Sequence, residues 1–140
     1  MDEAVRKAIC RAVETEPLAK LLKMRLLDLK YGHSIVVMTF DPDRMNNIYG
    51  RAHGGAIYAL IDEAFETASQ THGTIAVALN VNVTYVASPE NGVRLQAEAI
   101  EFNRTKKTAG YDIRVTDPNG KLIATCQALA YRTGKRIPFL

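Results

Sequence analysis

Cysteine is scarce in this 140-residue chain, and its two copies, Cys10 and Cys126, stand far apart. That excludes a disulfide framework and leaves no cysteine metal site. No apolar run approaches the roughly 20 residues needed to cross a bilayer. The opening MDEAVRKAICRAVE also lacks the uncharged apolar core of a secretion signal. Charge of one sign is missing too: 18 Lys+Arg against 15 Asp+Glu leave a net +3. Such a field is too weak for duplex nucleic acid, yet compatible with a small anionic ligand. The three histidines, His33, His53 and His72, are not at ligand spacing, so no metal is expected. No Ser or Cys sits in a nucleophile-elbow context, which argues against a Ser-His-Asp mechanism. Repeats, low-complexity tracts and linkers are absent. These absences point to one cytoplasmic domain over 1–140, with neither membrane nor nucleic acid as partner. Hydrophobic residues, at 47%, suffice for a core.

What is present is strongly patterned. Residues 2–15 place Ala4, Ala8, Ile9, Ala12 and Val13 at helical spacing, and Pro17 interrupts before LAKLLKM, giving a helical lead over about 2–22. Two apolar runs around Tyr31, Gly32 and His33 suit a hairpin over about 24–41, ended by Asp41, Pro42 and Asp43. From 75 to 86 a period-2 alternation (Ile75, Val77, Leu79, Val81, Val83, Tyr85) predicts a long half-buried strand. ASPENG turns the chain into a strand from Val93 to Ala99, and FNRTK connects to the next, Ala109 to Thr116. After DPNG a last strand runs over about 121–132, where Cys126 reads as a small core residue. Short connections predict an antiparallel meander.

Between hairpin and meander lies NIYGRAHGGAIYALIDEAFETAS, residues 47–69. Ile57, Leu60, Ile61, Ala64, Phe65 and Ala68 form one apolar face of a helix over about 53–71. The class is therefore α+β, one long helix packed on a mostly antiparallel sheet of about six strands. A helix start exposes free N–H groups and a partial positive charge, so it can polarise a carbonyl. Gly54 and Gly55 let a ligand approach that backbone, or they ease helix-on-sheet packing. Asp62, Glu63 and Glu66 lie off the apolar stripe, and periodicity does not choose among them. Asp62 stands about 12 Å along the helix from Gly54, at ~1.5 Å per residue. One helix cannot bring both to one reacting atom; two antiparallel copies across a two-fold axis can. His53 reads as a general base, a carbonyl-orienting donor or a first-turn residue bonded to backbone.

Asn47, Gly50, His53, Gly54, Gly55 and LID ending at Asp62 resemble the N-x-x-G-x-x-H-G-G-x-x-x-x-L-x-D pattern of hotdog-fold thioesterases of the phenylacetate-pathway (PaaI-like) type. The resemblance covers about residues 30–132, with NVTYVASP, RTKKTAGYDIRV and DPNGKLIATCQALAY in order. It implies a helix wrapped by a sheet, a homodimer assembling into a homotetramer, and hydrolysis of acyl-coenzyme A to free acid and coenzyme A, without cofactor. It assigns Asp62 as the catalytic carboxylate, general base or nucleophile, in preference to Glu63. It assigns Gly54 as the polarising N–H, with Asn47 and His53 around the carbonyl or helix start. Gly55 and Glu66 would border the substrate, Glu66 helping to hold water. Ala78 stands where some relatives carry a serine that contacts the attacking water. Arg104, Lys106 and Lys107, with Arg132, Lys135 and Arg136, offer charge to the phosphates of coenzyme A. Two rival readings are a non-catalytic acyl-coenzyme A binder, against which Asp62 argues, and a hotdog dehydratase or hydratase, whose His and Asp or Glu motifs are absent.

Overall fold

Asp2 opens the first helix, its carboxylate accepting from Ala4 and Val5 N–H, which satisfies donors the helix itself cannot pair. In the computed structural model, which describes Met1–Leu140, α1 (Glu3–Thr15) buries Val5, Ala8, Ile9 and Val13. Pro17 then starts α2 (Pro17–Leu21), where its missing N–H costs nothing. The hairpin follows as β1 (Arg25–Lys30) and β2 (His33–Thr39). A short helix that the pattern does not announce, α3 (Pro42–Met45), is capped by Asp41 accepting from Asp43 N–H.

The central helix α4 (Gly54–Gln70) buries the whole expected face, Ile57, Leu60, Ile61, Ala64, Phe65 and Ala68, against the sheet. Truncating a side chain such as Leu60 there should cost about 2–5 kcal/mol. Glu63, Thr67 and Ser69 are buried as well. The Thr67 hydroxyl donates within the helix and meets Ser34 Oγ of β2 at 2.7 Å, a buried polar pair that fixes the helix on the sheet. Past the helix end, Thr71 Oγ1 accepts from Gly32 N–H.

The sheet comprises β3 (Thr74–Tyr85), β4 (Arg94–Arg104), β5 (Thr108–Thr116) and β6 (Leu122–Arg136) beside the hairpin, in the order β1-β2-β4-β5-β6-β3, antiparallel throughout. This is the hotdog arrangement, one long helix against a six-stranded sheet.

Four expectations need correcting. β3 pairs with β6 and not with the strand that follows it, so the meander holds only for β4-β5-β6. β3 is also an edge strand and mostly exposed rather than half-buried, with Leu79 57% and Val77 48% accessible. Phe102, Asn103 and Arg104 belong to β4, because a register shift between Glu101 and Asn103 breaks the alternation without ending the strand. β6 continues to Arg136.

Candidate active site

The segment before α4 is a tight loop organised by Asn47. Its side-chain oxygen accepts from Tyr49 and Arg51 N–H at 2.9 and 3.1 Å, and Asn46 bridges Ala52. Gly50 sits at φ +68, the left-handed region where glycine carries no Cβ penalty. The Asn47 amide nitrogen remains free to donate. His53 is the N-cap of α4: its Nδ1 accepts from Gly55 N–H at 2.9 Å. The neutral ring therefore carries its proton on Nε2, as a donor.

That cap divides the work of the two glycines. Gly55 N–H is tied to His53, while Gly54 N–H makes no hydrogen bond and remains available at the positive end of the helix. Packing is tight at Gly54. A Cβ there would lie 3.0 Å from Tyr85 Cζ, and Tyr85 donates its hydroxyl to Gly54 O at 2.9 Å. The sequence reading passed over Tyr85; its place at the end of β3, next to ASPENG, was the available signal.

Asp62 is half-buried two turns into α4, and burial raises its carboxyl above the usual carboxylate range. It lines a cavity of about 440 Å³ with His53, Gly55, Met45, Tyr58, Leu18 and Leu22. Burial and the nearby Asp62 charge push the Tyr58 phenol up in turn. Gly54 lies elsewhere, in a second cavity of about 360 Å³ with Arg51, Ile57, Tyr85 and Val86. Within one chain, Asp62 and the free N–H thus face different spaces.

The remaining acids of α4 do not behave as a solvated face. Glu63 is 4% exposed although it lies off the apolar stripe, because the corner between α1 and α2, with Glu16, folds over it. Burial first, then Glu16 and Glu66, push its carboxyl up to about 8. Glu66 keeps an exposed surface, but its carboxyl is turned into the partly desolvated ground between the helices and is raised by that desolvation first, then by Glu16 and Asp62. Cys126 is buried and its thiol pushed up to about 11, which leaves it protonated and inert.

Ala78 is exposed on β3, opposite Ala130 of β6. Arg104, Lys106 and Lys107 gather at the turn between β4 and β5, yet Arg104 closes β4 instead of lying in a loop, and its Nε meets Glu101 Oε1 at 3.1 Å. Lys107 reaches Tyr131 Oη at 3.4 Å, and Arg132 donates to Thr105 O. Lys135 and Arg136 are exposed at the end of β6. This basic turn lies by the C-terminal end of α4, since Ala76, just after the helix, pairs with Arg132. It is far from the same chain's Gly54. Nearer that glycine stand Arg51 and Lys121, which line a polar cavity with Ser88 and Glu90. Neither cation drew notice in the sequence, for lack of a basic run around it.

His33 and His72 are held by carboxylates, Glu98 at 2.8 Å and Glu101 at 3.0 Å. The chain matches the thioesterase superfamily over residues 49–124. A putative esterase of Archaeoglobus fulgidus is 37% identical over 127 residues, 89% of this chain and 80% of that protein. The acyl-coenzyme A thioesterase PaaI of Escherichia coli is 28% identical, over 89% of this chain and 88% of that protein. The solved structure of that PaaI protein superposes with a TM-score of 0.90, over 95% of this chain and 96% of that one. A Streptococcus mutans protein solved bound to acetyl CoA is 28% identical, with a TM-score of 0.76 over 81% and 91%.

Proposed function

The chain belongs to the thioesterase superfamily, and we propose that it hydrolyses an acyl-coenzyme A to the free acid and coenzyme A at sites shared between two copies of α4. One observation carries this reading. A free helix-start N–H and a carboxylate of raised pKa lie in one chain but in different cavities. Antiparallel pairing of two α4 helices sets Asp62 of each beside Gly54 of the other.

At such a site the thioester carbonyl oxygen accepts from Gly54 N–H, which stabilises the charge that develops on it. His53 Nε2–H and the Asn47 amide supply further donors at the helix start, and Gly55 N–H serves by fixing the His53 ring. Asp62 either takes a proton from the attacking water and returns it to the departing coenzyme A thiolate, or attacks the carbonyl carbon itself. In the second route it expels the thiolate, which takes a proton from water, and leaves an Asp62 acyl anhydride that water then cleaves to the free acid and the free carboxylate. Ala78 offers no hydroxyl, so water is held by Asp62, with Glu66 one turn on. The apolar wall of Leu18, Leu22 and Met45 beside Asp62 receives the acyl group. The basic turn of Arg104, Lys106 and Lys107 lies at the C-terminal end of α4, so in an antiparallel pair it comes near the partner's helix start, where the phosphates arrive.

The open outer edge of β3 pairs with its own copy in this arrangement, which removes an exposed edge. Exposed Ile100, Phe102 and Leu129 give the sheet an apolar outer patch that joins two dimers into a tetramer. No helix is long and apolar enough to cross a membrane, and the cytoplasm is the expected compartment. The test is thiol release from a panel of acyl-coenzyme A species. Wild-type protein should release thiol from at least one of them, and Asp62→Asn should lower kcat at least ~100-fold, the low end of general-base contributions. Binding without thiol release across the panel would replace hydrolysis with a carrier role. Full activity in Asp62→Asn would end the assignment of the carboxylate.

A further inference from the structure

On the face of α4 turned towards the N-terminal lead, Glu63 and Glu66 meet Glu16, and one carboxylate oxygen of each lies within 4.8 Å of the others. No lysine, arginine or histidine pairs with any of the three. A cluster of acids on a surface is common and by itself means little. Here one member is different: Glu63 is 4% exposed, it is directed into the cluster, and its Oε1 is fully buried without a hydrogen-bond partner. A buried carboxylate oxygen with no donor is rare, and three carboxyl groups held together need either a retained proton or a shared cation to offset their repulsion.

We propose that Glu16, Glu63 and Glu66 form a site for a hard divalent cation of calcium size. Carboxylate oxygens are the ligands such ions prefer, whereas zinc and copper favour nitrogen and sulfur. Size follows from the spacing. Calcium, holding oxygens at about 2.3–2.6 Å, spans ligand pairs up to about 5 Å apart and so accommodates the whole range within 4.8 Å, whereas magnesium, at about 2.0–2.1 Å, reaches only about 4.2 Å. Glu66 is exposed and Glu16 half-buried, which leaves an open side for the waters that complete the shell. The ion would staple the corner between α1 and α2 to the central helix. Glu16 immediately precedes Pro17, and two residues of the segment that follows, Leu18 and Leu22, wall the cavity that holds Asp62. The cluster adjoins the proposed site, since Glu66 lies one turn from Asp62, but its test reads cation binding and not thiol release, so either reading can fail without the other.

The test uses the full chain, stripped with EDTA, dialysed and titrated calorimetrically with calcium chloride. One ion should bind per chain with Kd at or below about 10⁻³ M, the weakest class of protein calcium site. At about 10 mM calcium the melting temperature should rise by about 3–8 °C. Glu63→Gln and Glu16→Gln should each weaken binding at least tenfold. Glu16 lies at the rim of the cluster, so if the buried variant does not fold, Glu16→Gln alone decides. No saturable binding by wild type up to about 10 mM, or unchanged binding in the variants, overturns the site.

Discussion

Complementation between two disabled chains probes the shared geometry directly. Asp62→Asn keeps the shape of the side chain and removes the proposed base or nucleophile; Gly54→Pro removes the N–H proposed to polarise the carbonyl. Proline is tolerated at the first position of a helix, although its ring must share space with Tyr85, whose Cζ lies 3.0 Å from the Cβ position. The Gly54→Pro protein must therefore first be shown to fold and dimerise. Alone, each homodimer should retain about 1% of wild-type kcat or less, given ~100-fold for the base and ~100–1,000-fold for an oxyanion donor. In a mixed dimer the Asp62 of the Gly54→Pro chain faces the Gly54 of the Asp62→Asn chain, and that site is whole; the other lacks both groups. Random mixing at equal amounts makes about half the dimers mixed, each with one working site of two, so about a quarter of wild-type activity returns. The assay is thiol release after the chains are unfolded and refolded together, with mixed dimers verified by differently tagged chains. Activity staying near 1% in verified mixed dimers would refute the shared site while leaving Asp62 itself untouched.

Other expectations concern binding, metals, backbone and pH. Lys106→Ala and Arg104→Ala should raise KM at low salt far more than they lower kcat, since remote phosphate contacts contribute mostly uniform binding; Arg104, shared with Glu101, should give the smaller effect, and an unchanged KM in both removes the basic turn from the site. Hydrolysis should persist in EDTA, because the groups assigned to the reacting atoms, Asp62 and the Gly54 N–H, need no metal, and the proposed cation would only brace the α1–α2 corner; loss that zinc or magnesium restores would contradict it. Gly32→Ala should destabilise the fold by about 1–3 kcal/mol in thermal melts, because φ is +62 and the new Cβ would lie 2.7 Å from Glu101 Cβ; an unchanged melting temperature would show that the turn relaxes freely. Burial lowers the His72 pKa below 6.5 despite its bond to Glu101, with Arg104 and Arg132 acting in the same sense as burial. Its contribution to stability is then present above the unfolded value and is lost as pH falls through the window below 6.5; wild-type melting temperature should drop more steeply than that of His72→Gln between about pH 7 and 5, and equal slopes would reject the buried neutral ring.

What could be read along the chain depended on how many neighbours each residue needed. The apolar face of α4 was legible because a single sheet buries it, and 3.6-residue spacing records that alone. β5 alternates for the same reason. β3 alternates just as cleanly, yet both its faces are largely exposed in the chain, so periodicity reported the strand and not its surroundings. Its place beside β6 comes from a connection over residues 86–93 whose Val86 and Ala87 N–H groups bond Ile123 O, a long-range pairing that no local pattern encodes. Glu63, off the apolar stripe, is buried by the α1–α2 corner about 45 residues earlier, which no local periodicity records. The sequence could not separate Asp62 from Glu63 by spacing; the motif resemblance made that choice, and the structure adds that Glu63 is the more buried of the two.

The division of the proposed site follows from the helix itself. An N–H with no partner must lie in the first turn of α4, because from the fifth residue on the helix uses its own donors. A carboxylate meant to work beside such a donor gains nothing from the same first turn, where the positive end of the helix favours its ionised form and holds its pKa down. Asp62, two turns on and half-buried, escapes that field and is raised by burial instead. The separation that would tune the proposed base is therefore the separation that keeps it from its own chain's Gly54. A second antiparallel helix removes the conflict, since it supplies the donor from its own first turn without placing the two groups on one dipole. On this argument the exposed β3 edge and the displaced carboxylate are two consequences of one design. Substitutions that keep the chain folded but stop β3 from pairing, such as Leu79→Glu, should abolish hydrolysis along with dimerisation, and a monomer that still released thiol would show the conflict solved within one chain.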